Sequence, residues 1–173
     1  DDKIYGGISA GTDYGTGDTV SYLSSSSSVV VDLVNNRGSV GATEVDELYG
    51  IENAIGSNAG DIFKSNLTVA NKFDGKGETT VDGEIIVADS ISYELLTVTD
   101  ALTDYITLDF SDDTVPNRDA DGFYQASIYS SGSTVIDGIK DIENITGSNG
   151  NDLIVGDSKD NVLTGLAGDD SIG

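Results

Sequence analysis

GSNGNDLIV (147–155), GDSKDNVLT (156–164) and GLAGDDSIG (165–173) are three consecutive nine-residue units in register. Each opens with Gly. Each carries Asp or Asn at place six (Asp152, Asn161, Asp170) and a branched aliphatic at place eight (Ile154, Leu163, Ile172). A fixed period of this kind marks a stacked repeat, in which each unit leaves an apolar face that only its neighbours can cover. Place eight is the middle of a three-residue strand, and its side chain points away from those on either side. Ile154, Leu163 and Ile172 are therefore expected to share a thin core. The Gly-rich first six residues are expected to turn tightly, because Gly tolerates φ > 0. Two units make one coil, so turns 18 residues apart stack. Asp152 then lies with Asp170 on one side, and Asn161 falls on the other.

Calcium is a hard cation that takes about six to eight oxygen ligands. Turn carbonyls supply some of them, and the carboxylate at place six supplies charge. The expected set on one side is Asp152 and Asp170 with the turn positions Gly147, Asn149, Gly165 and Ala167. Asp157 and Asn161 form the set on the other side, which is weaker because Asn161 carries no charge. These three units resemble the RTX (repeats-in-toxin) family of calcium-binding proteins. Lys159 at place four and Asn161 at place six depart from its pattern. The resemblance implies an all-β fold, a right-handed parallel β-roll or β-solenoid with calcium in its Gly/Asp turns. It further implies type I secretion from a Gram-negative cell, and an extracellular or bacterial cell-surface address.

Working outward, GSNAGDIFK (56–64) is another copy, with Asp61 at place six and Phe63 at place eight. GIENAIGSNAGDI (50–62) aligns with DIENITGSNGNDL (141–153) at a constant offset of 91, which also sets Asp46 against Asp137. GDTVSY (17–22) and ADSISY (88–93) precede the two copies, followed by the strands VVVDL (29–33) and YITLDF (105–110). Two modules are expected. Residues 1–83 form a degenerate one. Residues 84–173 form a second, with a strand-rich insertion near 111–133 and the regular nonapeptides at 147–173. Parallel turns are expected at 50–83 and 141–173, with the insertion as a small antiparallel sheet on the flank. DDKIYGG (1–7) reads as the end of one nonapeptide and the start of the next, with Asp2 at place six. Both ends cut through a repeat, so a piece of a longer protein is expected.

The net charge is −23, from 31 acidic and 8 basic residues among 173. Such charge argues against nucleic acid or anionic membranes as partners. Unneutralised, it opposes compaction; bound calcium offsets it, which links folding to the cation. The chain has no Cys, His, Met or Trp, so thiolate and imidazole chemistry are absent and catalysis is not expected. No apolar run is long enough for a membrane span.

Several further residues leave alternatives open. Asp61 is a calcium candidate whose stacking partner is unclear, since SNLTVANKF (65–73) lacks the Gly and Asp places. DGKGETTVDG (74–83) reads as a decayed repeat one residue short, with Asp74, Glu78 and Asp82 as solvated charges and ligation as the alternative. Asp18 and Asp89 either meet a calcium or cap a turn. In NRDADG (117–122), Asn117, Asp119 and Asp121 alternate before Gly122, as in the first half of an EF-hand loop, but no Glu stands at the twelfth place. Asn53 and Asn144 are expected to bond turns or stack as a ladder. Tyr105, Phe123, Tyr124 and Tyr129 are assigned to the core, with a sugar-facing role as the alternative. The function expected is a calcium-dependent structural module of a large secreted or surface RTX protein, of adhesin or S-layer type. The alternatives are the inert folding domain of a secreted hydrolase or epimerase, and a calcium-dependent carbohydrate-binding module. The expected partners are calcium, surface glycans and neighbouring copies of the chain.

Overall fold

Short runs of Val, Ile, Thr and Tyr separated by Gly, Asn, Asp and Ser form strands throughout a computed structural model. It describes residues 1–9, 12–13, 17–77, 79–81, 84–111 and 118–173. Among the described residues every regular element is a strand and none is a helix. The first nine strands are β1 (Lys3–Tyr5), β2 (Ile8–Ser9), β3 (Thr12–Asp13), β4 (Thr19–Ser21), β5 (Val29–Asp32), β6 (Arg37–Val40), β7 (Glu44–Tyr49), β8 (Asn53–Ile55) and β9 (Ile62–Lys64). The next nine are β10 (Lys72–Asp74), β11 (Thr79–Val81), β12 (Glu84–Val87), β13 (Ser90–Ser92), β14 (Tyr105–Asp109), β15 (Tyr124–Ser130), β16 (Ser133–Lys140), β17 (Asn144–Thr146) and β18 (Leu153–Val155). Two more follow, β19 (Leu163–Thr164) and β20 (Ser171–Ile172).

The second nine strands repeat the pairing of the first nine. Strand β4 pairs in parallel with β8 through Val20 and Ala54, and β13 pairs with β17 through Ile91 and Ile145. Strand β5 pairs with β9 through Val31 and Phe63, and β14 pairs with β18 through Leu108 and Ile154. Strand β1 lies parallel to β7 as β10 lies to β16. The antiparallel hairpins β2–β3 and β11–β12 correspond, as do the antiparallel meanders β5–β6–β7 and β14–β15–β16. Strand β19 then joins β17 as β10 joins β8.

Two eight-stranded sheets result, in the orders β1-β7-β6-β5-β9-β13-β17-β19 and β20-β18-β14-β15-β16-β10-β8-β4. Each unit places its meander in a different sheet: β5–β6–β7 belongs to the first and β14–β15–β16 to the second. The sheets are therefore mixed, and neither closes into a barrel. Among the described residues of the expected flanking sheet at 111–133, Tyr124–Ser130 instead pairs on both sides inside the main sheet as β15. The extra residues of the second unit are shared between the 93–104 link, the link after β14 and a longer β15–β16 hairpin. DGKGETTVDG is not a decayed repeat in register; its Thr79–Val81 pairs with Glu84–Val87 as a hairpin set into a turn.

One core joins both sheets. Equivalent positions fill it in the two units: Val20 and Ile91, Val29 and Ile106, Val31 and Leu108, Leu48 and Ile139. Phe63 and Phe73 meet across the sheets with ring centroids 5.4 Å apart. Ile154 is fully buried and Leu163 partly so, whereas Ile172 is 48 % exposed. The reason is position: Ile172 sits on β20, the outermost strand of its sheet. Tyr124 is in the core, as assigned, but Tyr105 and Tyr129 are only half-buried and stack on each other.

Candidate metal centres

Place six of each nonapeptide turns its side chain back onto its own turn. The backbone N–H of Ser57 donates to Asp61 Oδ2 at 2.6 Å, and the Ser57 hydroxyl to Oδ1 at 2.9 Å. Ser148 makes the same two bonds to Asp152, at 2.6 and 2.8 Å. A strand amide from a neighbouring coil adds a third: Val29 N–H to Asp61 at 2.7 Å and Ile106 N–H to Asp152 at 2.8 Å. The place-six carboxylates are also chained to one another. Asp61 N–H donates to Asp89 Oδ1 at 2.6 Å, Asp89 N–H to Glu143 Oε2 at 2.9 Å, and Asp152 N–H to Asp170 Oδ1 at 3.0 Å. Two acidic ladders thus run across the coils, one through Asp61, Asp89 and Glu143 and the other through Asp152 and Asp170.

Glycine at place one answers to these carboxylates. A Cβ on Gly147 would stand 2.4 Å from Asp152 Oδ2, on Gly56 2.2 Å from Asp61 Oδ2, and on Gly75 2.3 Å from Asp89 Oδ2. None of these three glycines has a positive φ. Their role is close approach, not the left-handed conformation expected from the sequence.

Burial raises the pKa of several of these groups. Asp89 is pushed up to about 8, chiefly by burial, with Asp61, Glu143 and Asp141 adding repulsion. Burial also raises Asp61 and Asp152, against the amide bonds that lower them. Asp137 is raised to about 6 by burial; it accepts Asn71 N–H at 2.9 Å. Among the described residues eight acids are buried: Asp46, Asp61, Asp74, Asp89, Asp104, Asp137, Glu143 and Asp152. Asp74 was expected to be solvated, yet it is buried and paired with Lys76 at 2.5 Å.

The remaining candidates are placed as follows. Asp18 donates its N–H to Glu52, as Asp89 does to Glu143. Asn161 accepts Asp157 N–H at 2.9 Å and donates to the Glu143 carbonyl at 3.1 Å, so it serves the turn without charge. Asp157 Oδ1 accepts Lys159 N–H within its own loop. Gly147 and Gly165 are buried beneath their carboxylates, while Asn149 and Ala167 are exposed. Asn53 and Asn144 each accept a strand N–H from the next coil, from Lys72 and Val162. Asp119 and Asp121 share Lys72 Nζ, at 2.9 and 3.3 Å, so a lysine stands where the half EF-hand would put an ion. Asn117, Glu78 and Asp82 lie outside the described residues.

One cluster escaped the sequence reading. Asp2, Glu44 and Asp46 each bring a carboxylate oxygen to within 4.8 Å of the others. Glu44 and Asp46 share a face of β7 by strand alternation, and β1 runs parallel beside it. The alternation of Glu44 and Asp46 was the available signal, but the β1–β7 pairing that brings Asp2 to it was not visible. A scan against protein-family models finds no match to this chain, and a search of curated proteins finds none either. The donor set, oxygen only and acid-rich, is that of a hard divalent cation. At Asp61 and Asp152 three of a carboxylate's roughly four acceptor sites are taken by N–H and O–H donors. Among the described residues the acids placed to hold such a cation are Asp2, Glu44 and Asp46. Among the described residues no helix is long and apolar enough to cross a membrane.

Proposed function

We propose that this chain is a calcium-binding structural module of a large secreted or cell-surface protein of the RTX type, folding as a right-handed parallel solenoid on extracellular calcium. One observation carries the reading. Asn161 accepts its turn's N–H without charge, yet Asp61, Asp89 and Asp152 hold the equivalent places as buried acids at a cost visible in their raised pKa values. The turn does not need that charge, whereas a divalent cation does. The residues that would hold it are Asp152 and Asp170, Asp61 with Asp89, and Asp2 with Glu44 and Asp46; exposed turn carbonyls complete the shell. The cation supplies neutralisation and cross-links adjacent coils. The chain supplies no catalytic step in this reading. In a low-calcium cytosol the ladders repel and the chain stays loose; outside, binding to the folded state alone pulls it into a rod.

Calcium titrated into chelated protein, followed by far-ultraviolet circular dichroism, tests this. A cooperative gain of β signal is expected. An unchanged, fully folded spectrum in chelator would reject the switch.

A further inference from the structure

The two nine-strand units provide an internal comparison: what both carry serves the architecture, and what one adds is free for another use. One such addition lies at the end of the second meander where β15 turns into β16. Val29 and Ile106 are equivalent, as are Val40 and Ile128, so the first unit has Ser28 and Gly41 where the second has Tyr105 and Tyr129. The two tyrosines are cross-strand partners, and their rings stack with centroids 4.5 Å apart. They border an open cleft of about 490 Å³, between the β15–β16 turn and the link before β14.

A buried acid builds this cleft. Asp104 is wholly buried and accepts the Ser131 N–H at 2.6 Å, the Thr99 N–H at 2.7 Å, the Thr99 hydroxyl at 2.6 Å and the Asp100 N–H at 3.1 Å. The hairpin tip, turning at Ser131 and Gly132 with positive φ, is thereby pinned to the 99–104 link. The cleft is held open by groups the repeat does not require.

Its lining is unlike the rest of the surface. Charged residues make up 23 % of the chain, yet among the described residues no charged side chain lines the cleft. Besides the tyrosines it offers the hydroxyls of Thr103, Ser133 and Thr134 and the side chain of Leu102, which is 75 % exposed. Hydroxyls both donate and accept, as a sugar's do, and a tyrosine ring gives an apolar face with a polar tip. We infer that the Tyr105–Tyr129 cleft binds a neutral saccharide. In a chain of net charge −23, a lining without a cation disfavours uronates and sulfated sugars.

The test uses the whole chain in saturating calcium on an array of immobilised neutral gluco-, manno- and galacto-oligosaccharides, with uronate and sulfated oligomers alongside. Retention on neutral oligosaccharides is expected, weakened about tenfold or more by Tyr129→Ala. Thr134→Glu, on the exposed rim, should weaken it similarly while leaving the stacked rings in place. Tyr49→Ala, in the other stacked pair with Tyr5, should change nothing. Circular dichroism of each variant establishes that it is folded. Retention of no neutral sugar, retention of acidic sugars alone, or binding that survives Tyr129→Ala and Thr134→Glu overturns the inference. The cleft does not depend on calcium, so a chain folded in chelator would end the preceding proposal and leave this one to the array.

Discussion

Each place-one glycine of the nonapeptides faces the side-chain oxygen at place six at a distance that leaves no room for a methyl group. In Gly147→Ala the new Cβ meets Asp152 Oδ2 at 2.4 Å, and that oxygen is fixed by Ser148 N–H. A loss of about 2 kcal/mol is expected, read as a lower urea midpoint with unchanged slope. Gly138→Ala is the comparison: its Cβ meets Lys72 Cγ and Phe123 Cβ at 3.2 Å, a contact that flexible side chains can relieve, and the loss should be under about 1 kcal/mol. At place six, Asp61→Asn and Asp61→Ala should separate charge from hydrogen bonding. The alanine abandons three donors and should cost about 2–3 kcal/mol in chelator. The asparagine keeps one accepting oxygen but sets its Nδ2 against a donor, so it should cost less than the alanine there while weakening any calcium response. Equal losses from the two in chelator would show that the charge itself holds the turn.

At the scale of elements, the nonapeptides were legible because everything they need is local: a glycine, an acceptor five residues on, and an aliphatic two beyond that. The offset between GIENAIGSNAGDI and DIENITGSNGNDL likewise showed a duplication. The meanders were not legible. Strand β6, RGSV, has no alternating pattern, and its Gly38 is fixed from a distance, since a Cβ there would stand 1.9 Å from the Tyr22 hydroxyl. Tyr22 in turn donates to Asp46 at 3.0 Å, and burial raises Tyr93 beside Asp137 in the second unit. Partners separated by tens of residues leave no periodic trace. The Asp104 clamp was hidden for the same reason, because Ser131 reaches it across 27 residues. Its four donors hold that carboxyl well below the usual carboxylate range. In Asp104→Ala, amide hydrogen exchange at Ser131 and Thr99 should rise sharply while exchange in β9 and β13 stays slow. Uniform acceleration throughout the chain would instead make the clamp part of the global fold.

For the whole molecule, the buried acids set a sign for pH dependence. Asp137 at about 6 and Asp89 at about 8 hold protons in the folded chain that the unfolded chain has already released. The folded state therefore binds more protons between about pH 4 and 8, and stability falls as pH rises through that window. In chelator the melting temperature at pH 8 should lie below that at pH 5 by roughly 15 °C, from about 5 kcal/mol. Asp104 acts in the opposite sense, its contribution being lost only in stronger acid. Calcium favours the ionised carboxylates and should flatten or reverse the slope; a slope identical with and without calcium would separate the ladders from the cation. The alternation of the meander between sheets has a further consequence. One nine-strand unit carries the molecule from one broad side to the other, so equivalent decorations face opposite ways in successive units. In a run of such units, an ornament on every second meander would line a single flank, and one on every meander would make the rod two-faced. Unit parity, rather than sequence similarity between neighbours, would then decide which surfaces look toward a common partner.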